Sequence, residues 1–116
     1  MRYWTVDEAR EYLPRLRRLL ATIQTAAPAA RAPTNGHGYV DQAGADSAAD
    51  SARSALAELE AGDIVLRDLA MGLVDFPALA PDGTTYLLCW CAADADLGWW
   101  HGTGEGFANR KPLPHR

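Results

Sequence analysis

Lysine is almost missing from this 116-residue chain: Lys111 is the only one, and the other basic side chains are arginines. Basic residues number 11 against 15 acidic ones, a formal charge of -4. With a pI of about 5.2, that balance excludes a basic nucleic-acid-binding surface as the main feature. Residues 1–62 hold seven basic and eight acidic groups and residues 63–116 four and seven, so neither part is a basic arm. No run approaches the roughly 18 apolar residues of a membrane span. Met1–Glu11 spreads charge through every turn, so no apolar signal-peptide core is expected. Gly-x-Gly-x-x-Gly, Gly-Lys-Ser/Thr and Gly-x-Ser-x-Gly are all missing, which removes the motif-borne dinucleotide, phosphate and serine-hydrolase sites. Cysteine is scarce too. Cys89 and Cys91 are expected on opposite faces of one strand, too far apart for the Cβ spacing of about 3.8 Å that a bridge needs. Reduced thiols in a reducing compartment follow, and with them a cytoplasmic location.

What is present is ordinary for a folded domain. The chain is 48% hydrophobic and 22% charged, with a mean hydropathy of -0.20. Size scaling gives burial of about two-thirds of its unfolded surface, enough for a core without metals or disulfides. One domain over residues 1–116 is expected, and abundant alanine with a single lysine points to a GC-rich bacterial genome.

Thr5-Val6-Asp7-Glu8 has the form of a capping box. Apolar residues then fall at Val6, Ala9, Leu13, Leu16, Leu20, Ile23 and Ala27, a three-four spacing that predicts a helix with a coiled-coil-like seam. Pro14 is expected to kink or restart it, and Glu11 and Arg15 to pair on its outer face. Pro28 to Asp46 reads as a loop with an Asn35-Gly36 turn. A second helix capped by Asp46 or Ser47 follows, with a seam at Ala49, Ala52, Leu56 and Leu59 and a stop at Gly62. Beyond Gly62 the period becomes two. Ile64–Leu69, Leu73–Phe76, Thr84–Cys91 and Leu97–His101 read as strands joined by short turns. The fold class is α+β: an N-terminal antiparallel helical hairpin (1–62) on a C-terminal antiparallel β-meander of about four strands (63–101). Residues 102–116 form an irregular strap.

The C-terminal half carries an ordered set of motifs. Gly72-Leu73-Val74-Asp75-Phe76-Pro77, Leu88-Cys89-Trp90, Trp100-His101, Gly106-Phe107-Ala108, Arg110 and Pro112-Leu113 resemble an uncharacterised prokaryotic family, the domain of unknown function 2203. Thr5-Val6 through Leu13-Pro14 and Asn35-Gly36-His37 are similar to it as well, so the resemblance covers nearly the whole chain. It departs at Cys91 and Ala92, where the family more often has Arg and a Gly-Glu pair, and in a shorter helical middle. The resemblance implies a family and a fold, and brings no activity with it.

Strand alternation sorts the sheet into two faces. Ile64, Leu66, Val74, Phe76, Tyr86, Leu88 and Trp90 share the face expected under the helices. Arg67, Asp75, Thr85, Leu87, Cys89, Leu97, Trp99 and His101 share the other. On that second face a carboxylate, a thiol and an imidazole meet apolar neighbours. Cys89 and His101 could hold a soft metal, and Asp75 and His101 could serve acid-base work. The plain alternative is packing, with Asp75 paired to an arginine and Cys89 a small hydrophobe. No Cys-x-x-Cys or His-x-x-x-His spacing supports a metal site. The candidate ligand-binding residues are therefore Asp75, Cys89, His101 and Arg110, the last brought back by the strap or locking it to Asp75.

Weaker signals read as ordinary structure. His101 and Glu105 have helical spacing but flank two glycines, and His37 lies among loop glycines. Arg15, Arg17 and Arg18 form a basic turn diluted by Glu8 and Glu11, and Trp99-Trp100 point to opposite faces. Two functions follow. The first is a self-associating structural or interaction protein, a homodimer burying Leu87, Leu97 and Trp99 from the uncovered sheet face. The second is a small-molecule, metal or catalytic site around Asp75, Cys89 and His101. A reaction, substrate and cofactor are not legible, and neither nucleic acid nor membrane is expected as a partner.

Overall fold

The computed structural model describes residues 1–31 and 42–114. Helix α1 spans Val6–Arg31 and α2 spans Gln42–Ala61. Strands β1 (Val65–Asp68), β2 (Leu73–Leu79), β3 (Thr85–Trp90), β4 (Trp99–Gly102) and β5 (Lys111–Pro112) form one sheet in sequence order. Every neighbouring pair is antiparallel. The result is the expected helical pair followed by a meander, with one strand more than anticipated.

The capping box closes as expected. Glu8 N–H donates to Thr5 Oγ1 at 3.0 Å and Thr5 N–H donates back to Glu8 Oε1 at 3.0 Å. Pro14 does not restart the helix: α1 runs unbroken past it because Pro14 is exposed while Leu13 and Leu16 on either side stay buried. The buried stripe is wider than the seam, adding Leu19 and Ala26. The loop expected from Pro28 to Asp46 is shorter. Both helices extend into it, so α2 begins at Gln42 and not at an Asp46 or Ser47 cap. Residues 32–41, with Asn35-Gly36 and His37, lie outside the described residues. On α2 it is Ala55 and Leu59 that are buried, while Leu56 is exposed. The contact face is turned by one residue from the predicted seam.

Long side chains tie the layers together. Arg15 forks onto Glu58 at 3.0 and 2.6 Å, so its partner is on α2 and not Glu11. Tyr12 donates to the same carboxylate at 2.5 Å. These contacts, Arg15 foremost, hold the Glu58 carboxyl down to about 2. Arg17 reaches the carbonyl of Asp94 at 2.9 Å and stacks on Trp90, so Arg15 and Arg17 of the basic turn are committed within the fold while Arg18 is exposed. Trp4, unmarked by any periodicity, packs edge-on to Phe76 and donates Nε1–H to the Gly62 carbonyl at 2.8 Å.

The helix-side face is the one predicted: Ile64, Val74, Phe76, Leu88 and Trp90 join the helices in one core. Leu97 belongs there too, fully buried, and not to the second face. β4 begins only at Trp99, so the alternation that placed Leu97 does not apply to it. Cys89 and Cys91 share the second face with Leu73 and Trp99, contrary to expectation. Positions two apart on a strand point the same way, and their separation of about 6.6 Å still keeps the thiols free. β2 runs through Pro77 because β1 pairs only with residues 73–75, so the missing N–H lies beyond the ladder. Part of the strap is strand: Trp99 pairs with Pro112 and Trp100 with Lys111. Among the described residues no helix is long and apolar enough to cross a membrane.

Candidate metal centre

Asp75 sits in the middle of β2 directly opposite Cys89 on β3, and His101 comes from the neighbouring β4, paired with Leu87. Pairing register alone therefore gathers three polar side chains onto one patch of the second face. Each is only 1% exposed. One oxygen of Asp75, the sulfur of Cys89 and a ring nitrogen of His101 all lie within 4.8 Å of one another.

The imidazole has two polar neighbours, and both are acceptors. Nδ1 lies 2.8 Å from the carbonyl oxygen of Gly102, and Nε2 lies 3.0 Å from Asp75 Oδ1. A neutral ring offers one N–H. Nε2–H given to Asp75 leaves the Nδ1 lone pair on the Gly102 carbonyl, and Nδ1–H given to Gly102 leaves the Nε2 lone pair facing a carboxylate oxygen, the arrangement that a metal cation between them would satisfy. Asp75 Oδ2 is taken by Arg67, whose Nε donates at 2.8 Å. Arg67 reaches it from a register shift between Leu66 and Asp68, the sort of bulge that re-aims a side chain.

Burial, reinforced by the Asp75 charge and opposed by Arg110, pushes the Cys89 thiol up to about 12. At neutral pH it is a thiol and not a thiolate, and alkylation needs the thiolate. Iodoacetamide at pH 8.5 should modify Cys89 at least about a hundredfold more slowly in the native protein than in urea, where the pKa returns to about 8.5. Peptide mapping by mass spectrometry reads the two rates. Equal rates would show the thiol to be open and its proton labile.

A cavity of about 150 Å³ adjoins the three side chains. Leu73 and Phe107 form its apolar wall, and Arg67 and Glu105 add charge. Glu105 Oε1 is itself engaged by the Gly102 N–H at 2.8 Å and Lys111 Nζ at 2.7 Å, so it closes a turn and forms no helical pair with His101. The segment between β4 and β5 thus roofs this half of the face. That leaves less sheet uncovered than one helical layer implies.

The structure brings together Asp75, Cys89 and His101 but gives Arg110 another task. Its Nη1 donates to Asp94 Oδ2 at 2.8 Å, and its guanidinium lies over Trp99 and Phe107. It flanks Cys89 without lining the cavity, and the carboxylate it locks is Asp94, not Asp75. Leu87 is buried on the second face and Trp99 half-buried. A larger hollow of about 340 Å³ between Tyr86, Trp100, Leu113 and Pro114 is apolar, with Asp82 its one charged lining residue. It offers shape with little chemistry. Sequence reasoning missed Arg67 as the partner of Asp75, and Glu105 and Phe107 as lining. Arg67 was signalled by its face, whereas the roof residues carried no periodic signal.

A model of the family described as an uncharacterized conserved protein (DUF2203) matches residues 2–113. No curated protein and no solved structure matches the chain. The chain belongs to the DUF2203 family.

Proposed function

We propose that this DUF2203-family chain is a small metal-binding domain holding one zinc-class divalent ion through Asp75 Oδ1, Cys89 Sγ and His101 Nε2. The observation that carries the reading is the buried convergence of Nε2, Oδ1 and a thiol sulfur within 4.8 Å of one another, with Nε2 and Oδ1 at 3.0 Å. A mixed sulfur, nitrogen and oxygen set suits zinc, whose ligand atoms stand about 3.2–3.7 Å apart when bound at 2.0–2.3 Å. From a spread of 4.8 Å or less, closing onto an ion takes side-chain movement of about an ångström. The second shell also fits, since a ligating histidine usually donates its other N–H to a carbonyl or carboxylate. Gly102 receives that N–H, and Arg67 braces the free carboxylate oxygen. The ligands come from three strands, which is why no short spacing motif accompanies them. Equilibrium dialysis against zinc followed by elemental analysis tests the reading. One zinc per chain is expected, falling below about 0.2 in His101→Ala and Cys89→Ser. Zinc-free protein, or wild-type loading in both variants, would sink it.

Self-association remains a second reading because two large apolar side chains, Val65 and Leu79, stay exposed on the face that also carries Leu87. A homodimer would cover them and the half-buried Trp99. Light scattering at tens of micromolar decides this, and a monomeric mass would remove the reading. The charge of -4 and the two free buried thiols support a cytoplasmic protein without nucleic-acid partners.

A further inference from the structure

We infer, resting on that metal-site reading, that the ion keeps one position open toward the 150 Å³ cavity and there takes a small carboxylate whose second oxygen is held by Arg67. The argument begins with counting. Three protein ligands leave a tetrahedral ion one site short, the arrangement of sites that exchange a ligand and not of closed structural ones. The apolar flanks, Leu73 and Phe107, supply no donor to fill it. Glu105 lines the cavity but is held by Lys111 and the Gly102 amide, which keep its carboxyl below the usual range. Its charge is already answered.

Charge then selects the class of ligand. A divalent ion with the Asp75 carboxylate and the Cys89 thiolate is neutral, and Arg67 leaves the centre with one positive charge in excess. An anion in the open position removes that excess. Arg67 also has the geometry: Nε is spent on Asp75 Oδ2, while no hydrogen bond from its Nη atoms is found among the described residues. Its side chain lines the cavity and is 48% exposed, so it stands between the cavity and solvent. A guanidinium edge matches a carboxylate better than it matches a neutral amide. Size limits the ligand further. About 150 Å³ holds roughly five water volumes, which admits an acetate-sized acid whole.

The test uses the whole chain loaded with cobalt(II), whose visible absorption reports coordination. Titration with acetate is expected to change the spectrum to saturation at one site, and acetamide, the neutral isostere, to leave it unchanged. In cobalt-loaded Arg67→Lys, which keeps the charge and loses the fork, the acetate dissociation constant should rise at least tenfold. A cobalt spectrum indifferent to acetate would overturn this inference and leave the metal site standing. An acetate response of equal strength in Arg67→Lys, or an equal response to acetamide, would overturn it as well. Failure to bind cobalt at all would overturn both readings.

Discussion

Trp90→Ala should lower the melting temperature by about 10–25 °C, the largest effect expected of any single truncation in the core. Trp90 is fully buried, heads the buried side chains by volume, and joins three parts of the fold at once. Its rings lie in the core shared by the helices and the sheet. Its Nε1–H donates to the carbonyl of Asp94 at 3.1 Å, and the Arg17 guanidinium lies 4.7 Å from its ring centre. Truncating a buried Trp costs about 3–5 kcal/mol, through lost transfer energy and an unfilled cavity. Against a total stability of about 5–15 kcal/mol, that is a large fraction. For a domain of this size each kcal/mol shifts the melting point by several degrees. Calorimetry on Trp90→Ala and Trp90→Phe is the check, with Phe expected to recover more than half the loss. A shift under about 3 °C for Ala would mean that the helices do not share a core with β3.

Asp75→Ala comes second and acts by a different route. It removes the carboxylate that both Arg67 and His101 contact, and His101 is almost completely buried. Removing one partner of a buried hydrogen bond costs about 1–3 kcal/mol, because the His101 nitrogen that faced the carboxylate is left buried and unpaired. Asp75→Asn should cost markedly less, since an amide oxygen still accepts from one of the two. The double variant Asp75→Ala/His101→Ala should be less destabilised than the sum of the singles, because the orphaned imidazole has gone. Urea denaturation of the four proteins supplies the cycle. Additive costs would show that Asp75 and His101 do not act as a unit.

Periodicity made the helices and the helix-side face legible, since burial there follows the simple periods of helix and strand. The same alternation places Asp75, Cys89 and His101 on one face from the sequence alone, because β2, β3 and the start of β4 are regular. It failed where the backbone is not regular. Leu97 precedes β4 and turns into the core, and although alternation put Arg67 on the right face, its pairing with Asp75 depends on a register shift that no pattern announces. Leu56 was misplaced because an alanine-rich helix offers too few large side chains to fix its rotation. Ala55 and Leu59 define the buried stripe instead. The partner of Arg110 was unreadable for another reason. Asp75 and Asp94 were both available carboxylates, and only the path of the strap decides between them. The roof over the site, with Glu105 and Phe107, is irregular chain whose position follows from β5 pairing at the sheet edge.

The most direct test of the metal-centre account is X-ray absorption at the zinc edge of the zinc-loaded protein. The account predicts one sulfur at about 2.3 Å and nitrogen or oxygen neighbours at about 2.0–2.1 Å. A shell of nitrogen and oxygen alone in the wild-type protein, or zinc lost on desalting, would contradict it. Asp75, Cys89 and His101 would then be a buried hydrogen-bonded pair beside a packed thiol.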